Sequence, residues 1–302
     1  MLGFERPRLS VKLGPRQAAV VEVSRAWWGR PRRRYGLADL PEGLVRPSPV
    51  ESNISDPAAL ESHLRTLLES GGQRAPKGRA AVLVLPDLCV RATLLEMDKL
   101  PARTSERETL IRWRLQQEAS FPVEGSKVVS QVLGPKTVLA AAIRETVLRQ
   151  YEAVCEAVGL IPLEVDIASF RLWNMFAPAV PSDEPVAWLS LLDGGFSLIV
   201  FHAGRPTFLR TKFQTRTASD GVLRDLTDSL EVYAERHPEA APRRLVLASE
   251  GPEPDLVRRA SAELGLDVAQ AGWEGARRAG WPQMDEATPV GVLAAVAGLL
   301  GG

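Results

Sequence analysis

Two hairpins of apolar residues divide this chain into two stretches of similar design. Residues 9–24 and 187–202 each read as an apolar β-strand, a glycine-containing turn and a second apolar strand. An amphipathic helix and a further apolar strand follow each hairpin along the chain. This repeated order of elements predicts a duplicated α/β fold of the ribonuclease-H or actin type.

Helical spacing and short apolar runs predict most of the other elements. Apolar stripes with helical period end near glycine or proline, as helices do. The segment 290–300 is rich in Ala, Val and Leu but is too short to span a membrane, which predicts a buried C-terminal helix. The predicted helical stripes cover residues 60–68, 111–119, 147–158, 223–233 and 256–264, and the predicted strands cover 80–85, 90–97, 128–133, 137–143, 163–167, 207–213 and 244–248.

These elements predict three regions along the chain. Residues 1–88 form the first lobe, and residues 89–160 form a small inserted α+β subdomain. Residues 161–302 form the second lobe, which starts with the strand at 163–167. In the second lobe, the helix that starts near Asp220 follows Phe213 within fewer than ten residues.

Composition and net charge argue against some classes of protein for this chain. The chain has 302 residues, 45% of them hydrophobic, with 37 basic and 37 acidic side chains. A chain of zero net charge has no overall field with which to hold nucleic acid. No apolar stretch reaches the ~18–20 residues of a membrane span, so a cytoplasmic location is expected. Cys89 and Cys155 lie in apolar patterns and are predicted to be buried, reduced thiols.

Two surface features leave alternatives open. The basic run at 27–35, which includes Arg30, Arg32, Arg33 and Arg34, fits either a solvated strand edge or a contact with acidic lipid headgroups. Trp273 and Trp281 lie in a glycine-rich stretch and are candidates for an exposed contact surface. Three other tryptophans occur in periodic apolar segments and are predicted to be core residues, namely Trp113, Trp173 and Trp188.

Several short segments between residues 80 and 215 follow a recognisable order. They lie at 84–87, 99–101, 111–113, 117–122, 140–143, 159–166 and 208–210. In this order and spacing they resemble the PilM family, the actin-like cytoplasmic proteins of type IV pilus assembly. The cytoplasmic part of the type II secretion protein GspL is similar in layout.

The resemblance implies a fold and a set of partners. The fold would be actin-like, with an SHS2-like insert (subdomain 1C) between the lobes (1A and 2A). The protein would act as a scaffold at the cytoplasmic face of the bacterial inner membrane, where it would bind the N-terminal tail of a bitopic PilN-like protein. A pilus motor ATPase, a platform protein and a second copy of the chain are further candidate partners. The choice between a pilus and a type II secretion system stays open.

In members of the family that bind ATP, three loops hold the nucleotide, and this chain departs from two of them. The first loop usually starts with an acid but here reads Lys12, Leu13, Gly14, and lysine offers Mg²⁺ no oxygen ligand. The second loop, Asp193, Gly194 and Gly195, is kept, although Asp-Gly also suits an ordinary hairpin turn. The third loop carries Glu250 beside Gly251, where a carboxylate would repel phosphate.

The short Phe213–Asp220 connection also leaves no room for the helical 2B subdomain that covers the nucleotide. We therefore expect a non-catalytic protein with a degenerate nucleotide site and no cofactor. The alternative function is an actin-like ATPase or a sugar-kinase-like phosphotransferase. The three histidines lie far apart in sequence and predict no metal site.

The predicted partner surface is a groove between the first lobe and the insert. The strand at 90–97 has apolar residues on both faces, and a single core would bury only one of those faces. The edge of this strand could also accept an added strand from a partner. The alternative is that a helix and the first lobe cover both faces. The candidate contact residues are Val90, Leu94, Leu95 and Met97.

Overall fold

The structure is a computed structural model that describes residues 7–24, 32–70, 78–118, 123–180, 183–214, 219–272, 277 and 290–300. The strands are β1 (Leu9–Leu13), β2 (Gln17–Ser24), β3 (Arg32–Asp39), β4 (Arg79–Leu85), β5 (Arg91–Glu96), β6 (Ser126–Val132), β7 (Thr137–Arg144), β8 (Leu160–Ile167), β9 (Val186–Leu191), β10 (Gly195–His202), β11 (Arg205–Phe213), β12 (Arg244–Ser249) and β13 (Asp267–Gln270). The helices are α1 (Pro57–Ser70), α2 (Thr104–Glu118), α3 (Glu145–Ala157), α4 (Ala168–Phe176), α5 (Ser219–Arg236), α6 (Pro254–Leu264) and α7 (Val290–Leu300).

Contacts along the chain group the residues into two compact units. One consists of Met1–Pro86, Leu148–Ala179 and Ala271–Gly302. The other consists of Asp87–Val147 and Val180–Gln270. These units do not follow the region boundaries that we predicted, because two elements and the C-terminal segment belong with the first unit.

The first unit is built on a five-stranded sheet with the order β3-β2-β1-β4-β8. β2 pairs antiparallel with both β1 and β3, whereas β4 pairs parallel with β1 and β8 pairs parallel with β4. The apolar stripe of α1 is buried as predicted, at Leu60, Leu64, Leu67 and Leu68. β3 is an edge strand, and it carries the end of the basic run.

β8 corrects the sequence-based reading of this region. Residues 163–167 were expected to open the second lobe, but β8 pairs in parallel with β4, from Arg79 opposite Leu160 to Leu85 opposite Ile167. α3 likewise packs in the first unit, where the Gln150 side chain accepts hydrogen bonds from the backbone N–H groups of Asn53 and Ile54. Parallel pairing between segments that are distant in the sequence has no local sequence signal. The sequence pattern therefore could not show that β8 belongs to the first sheet.

The C-terminal helix α7 is buried against the first sheet, as its composition predicted. Residues 292–297 have almost no exposed surface. Gly298 allows this close approach, because a Cβ at that position would lie 2.5 Å from Ser10 Oγ of β1. The described residues contain no helix long and apolar enough to cross a membrane.

The second unit repeats the sheet of the first. Its five strands have the order β11-β10-β9-β12-β13, with the same antiparallel and parallel pairings as β3-β2-β1-β4-β8. Leu223, Leu226 and Tyr233 of α5 pack on this sheet in one apolar cluster. The predicted duplication is therefore confirmed strand by strand. Residues 214–218 alone connect β11 to α5, so no additional subdomain is inserted there.

The insert contributes a three-stranded antiparallel sheet, β5-β7-β6, to the second unit. Ile111 and Leu115 of α2 pack on one face of this sheet, as their spacing predicted. Trp113 was wrongly predicted to be a core residue, since it is exposed. It lies two residues from both Ile111 and Leu115, on the opposite side of the helix. Trp173 and Trp188 are buried as predicted, and so are Cys89 and Cys155.

Candidate functional site

The turn between β9 and β10 holds the second of the three loops that we predicted to correspond to a nucleotide site. Asp193 and Gly194 both adopt left-handed backbone conformations, with φ of 57° and 74°. The N–H of Gly195 donates to the carbonyl of Leu192 at 2.9 Å. The N–H of Asp193 donates to the Glu250 carboxylate at 2.9 Å. Two amide donors that could bind a phosphate are therefore used within the chain.

Gly195 is covered by a side chain. Leu88 lies in the 3-10 turn Asp87–Cys89, and its Cγ is 3.1 Å from the position that a Cβ on Gly195 would take. The glycine is thus required for close packing beneath Leu88, which is itself buried. In a phosphate-binding loop, the equivalent space would need to stay open for the ligand.

The other two loops also complete their hydrogen bonds locally. The N–H of Gly14 donates to the carbonyl of Gln17 at 3.0 Å, which closes the β1–β2 turn. Lys12 is buried in β1, and its Nζ lies 3.7 Å from where a side chain on Gly291 would begin. In the third loop, Ser249 Oγ donates to the carbonyl of Gly251 at 2.7 Å.

The four predicted partner residues divide between two environments. Leu95 and Met97 are buried in the apolar core of the insert, together with Ile111 and Leu115. Val90 and Leu94 retain partial exposure. Because side chains alternate along a strand, Leu94 and Leu95 lie on opposite faces of β5. The groove assignment stays a prediction, and only the Val90 and Leu94 side of the strand offers surface for it.

β8 has an arrangement of side chains that the sequence reading missed. Its apolar residues Ile161, Leu163 and Val165 are exposed, at 46%, 48% and 36%. β8 is the terminal strand of its sheet, and apart from β4 no strand among the described residues pairs with it. An edge strand normally carries polar groups outward, which blocks unwanted pairing. An apolar stripe on such an edge marks an interaction surface.

The acids of β8 are bound by a buried arginine. Arg171 of α4 is 4% exposed and pairs with Glu164 and, at 2.7 Å between Nε and Oδ2, with Asp166. Asp166 also accepts the N–H of Ile167 at 2.8 Å. Burial raises the pKa of Asp166, and the nearby Arg171 guanidinium partly opposes this shift. The two acids of β8 thus bind Arg171, while three apolar side chains of the same strand stay exposed on either side of a register shift at Leu163.

Two other predicted surfaces are only partly described. Arg34 and Tyr35 of the basic run are exposed on the edge strand β3, which agrees with both of our predictions for this run, a solvated strand edge and a lipid contact. Arg30, Trp273 and Trp281 lie outside the described residues. Among the residues that the structure describes, no group of three or more His, Cys, Asp or Glu side chains is placed to hold a metal ion.

Comparison with known proteins identifies the fold. A scan against models of known protein families found no match, and a search of curated proteins found none that was significant. Among solved structures, a chain of the PilM–PilN type IV pilus biogenesis complex matches with a TM-score of 0.75 and 21% identity, over 97% of this chain and 98% of that one. A Bacteroides thetaiotaomicron protein with an actin-like ATPase fold and unknown function matches with a TM-score of 0.53 and 12% identity, over 98% of each chain. The fold is actin-like.

The predicted structural resemblance to PilM is confirmed by this match, which includes both lobes and the insert because it spans nearly the whole chain. The cytoplasmic domain of EpsL, an inner-membrane component of the type II secretion system of Vibrio cholerae, has a TM-score of 0.48 and 16% identity, over 81% of this chain and 83% of that one. That match is too weak to add to the fold assignment.

Proposed function

We propose that this protein is a non-catalytic scaffold of a type IV pilus inner-membrane platform, and that it binds the extended cytoplasmic tail of a bitopic PilN-like protein along β8. The fold similarity to a chain of the PilM–PilN complex supports the class of function. The observation that carries the proposal is the exposed apolar stripe on β8.

The geometry of β8 favours an extended ligand. A strand at the end of a sheet has backbone N–H and C=O groups on its outer side, which an added strand can pair with. Ile161, Leu163 and Val165 are all exposed, and the pairing register with β4 shifts at Leu163, which forms a bulge between Pro162 and Glu164. We therefore expect the tail to present apolar residues that contact these three side chains. The pairing would place this soluble chain at the cytoplasmic face of the membrane through its partner.

The proposal includes no nucleotide chemistry. The Asp193 N–H is used by Glu250, and Leu88 covers Gly195, so the turn offers little to a phosphate. Lys12 replaces the acid that would organise a metal ion. The protein would act by holding partners together.

Calorimetric titration with a synthetic peptide of the partner's N-terminal tail tests the proposal. Leu163→Asp places a charge in the centre of the apolar stripe and should weaken binding at least about tenfold, the scale of an interface hot spot. The matched control is Val50→Asp, another exposed apolar residue of the first unit, which should bind normally. Both variants should unfold at the wild-type temperature. Normal binding by a folded Leu163→Asp variant would overturn the β8 assignment.

A further inference from the structure

A second open strand edge lies on the insert. β6 is the terminal strand of the sheet β5-β7-β6, and it pairs only with β7 among the described residues. Val129, at the centre of β6, is 59% exposed, and Val132 is exposed as well. The only charged residue of the strand is Lys127. β6 therefore has little of the charge or proline that protects most strand edges from pairing.

The hydrogen bonds of the β6–β7 hairpin define which backbone groups face outward. The N–H of Leu133 donates to the carbonyl of Thr137 at 2.9 Å, and Val132 lies opposite Val138. In an antiparallel pair, residues alternate between bonding the partner strand and facing away from it. The odd-numbered residues of β6 thus bond to β7. Their even-numbered neighbours, Val128, Ser130 and Val132, direct their N–H and C=O groups to the open edge.

We propose that two copies of this chain associate by antiparallel pairing of their β6 strands about a two-fold axis at Val129. Val128 of each copy then forms a hydrogen-bonded pair with Ser130 of the other copy. Both residues direct their backbone N–H and C=O groups to the open edge, as such a pair requires. On one face, Val129 lies opposite Val129. Lys127 lies opposite Gln131 on both sides of this central pair, so no like charges meet.

The side chains of β6 favour a second copy over an apolar tail. The exposed valine at the centre is flanked on its face by Lys127 and Gln131, which an apolar peptide would leave without polar partners. In a two-fold arrangement, Lys127 of each copy lies opposite Gln131 of the other, because the same patch is used on both subunits. A pair of strands of this length buries less surface than a standard interface, so the dimer should be weak. The paired β6 strands join two insert sheets into one continuous sheet.

Sedimentation velocity over micromolar to near-millimolar concentrations tests this proposal. The wild-type protein should shift from monomer to dimer as concentration increases. Val129→Lys and Val129→Glu each place like charges directly opposite one another and should raise the dissociation constant at least about tenfold. An equimolar mixture of the two variants should restore the dimer, because each lysine then faces a glutamate.

The mixing experiment separates loss of pairing from loss of folding, since a misfolded variant cannot be rescued by its partner. Val50→Lys, on an exposed loop, is the control and should dimerise like the wild type. A wild-type protein that stays monomeric throughout the range would overturn the proposal. So would variants that dimerise normally, or a mixture that fails to recover. Tail binding at β8 is measured separately and does not depend on the result.

Discussion

β8 and β13 occupy the same position in the two repeated sheets, yet their surfaces differ. β13 has four residues, and all except Val268 are exposed. Its Asp267 is exposed and pairs with Arg244 of the neighbouring strand β12 at 3.1 Å. β8 is twice as long, and its outward side chains include three exposed apolar residues. The second sheet ends in a short polar edge, whereas the first ends in a surface suited to a partner.

A buried arginine binds the acids of β8. Arg171 pairs with both Glu164 and Asp166, whereas three apolar residues of the strand stay exposed. The duplicated fold thus has two equivalent edges. β13 is short and carries an exposed acid, whereas β8 is longer and exposes three apolar residues beside Pro162 and the acids bound by Arg171. Substitutions at these positions should change this contrast.

Replacement of Arg171 should have the largest effect. Arg171→Met removes the partner of Asp166 and Glu164, whose carboxylates are partly exposed, and the loss of hydrogen bonds to charged groups should cost about 1.5–3 kcal/mol. Urea unfolding of wild type and variant measures this loss. Arg258→Met, which removes an exposed pair with Asp255, is the control and should leave the unfolding midpoint unchanged. Equal stability of Arg171→Met and wild type would show that the β8 acids do not need this arginine.

Conversion of β8 to a polar edge like β13 should abolish binding with little effect on folding. Ile161→Thr, Leu163→Thr and Val165→Thr together place β-branched side chains at all three positions, which suit a strand. We expect the unfolding free energy to change by less than about 1 kcal/mol, because the replaced side chains are exposed. Calorimetry should detect no binding of the tail peptide. A triple variant that binds at wild-type affinity would place the partner elsewhere.

The pH dependence of stability should report the burial of Asp166. Because its pKa is raised on folding, the protonated carboxyl favours the folded state at low pH. This contribution is lost as the pH rises from below the ordinary carboxyl pKa through the raised one. The stability of the wild type relative to Asp166→Asn should therefore decrease over that window in urea unfolding at several pH values. A difference that is constant or increases with pH would contradict the assignment.

The smallest expected effect compares the two glycine turns. Neither the Lys12 turn nor the Asp193 turn should bind Mg-ATP with micromolar affinity, so calorimetry should record no saturable heat. The reason is that Glu250 already accepts the Asp193 N–H and that Lys12 provides no metal ligand. A clear saturable heat that disappears in Asp193→Ala would favour the ATPase alternative.

Local patterns predicted much of this fold. The α1 stripe, the β6–β7 hairpin and the buried α7 could all be inferred from periodicity and turn residues. The position of β8 could not be inferred, because its parallel partner β4 lies about 80 residues earlier in the sequence. The exposure of Trp113 could have been predicted, since a helix turns about 100° per residue and the core stripe runs through Ile111 and Leu115.

The candidate site was harder to predict than the fold. Leu94 and Leu95 are neighbours of the same residue type, and only the position of α2 determines which of them is buried. The apolar stripe of β8 looks like a core strand in sequence, since exposure depends on what packs against the strand. The role of Arg171 has no signal in the sequence at all. Charged residues are common on helices, and only the fold shows that this one is buried beside two acids.

Hydrogen–deuterium exchange of the full-length chain, with and without the partner's tail peptide, tests the central claim most directly. An added strand bonds the outward amides of β8, so peptides that cover Leu160–Ile167 should exchange more slowly when the tail is bound. Peptides that cover β13, at Asp267–Gln270, should not change. Protection confined to β8 is the result that we predict. Tail binding without protection of β8, or with equal protection of both edges, would contradict the account.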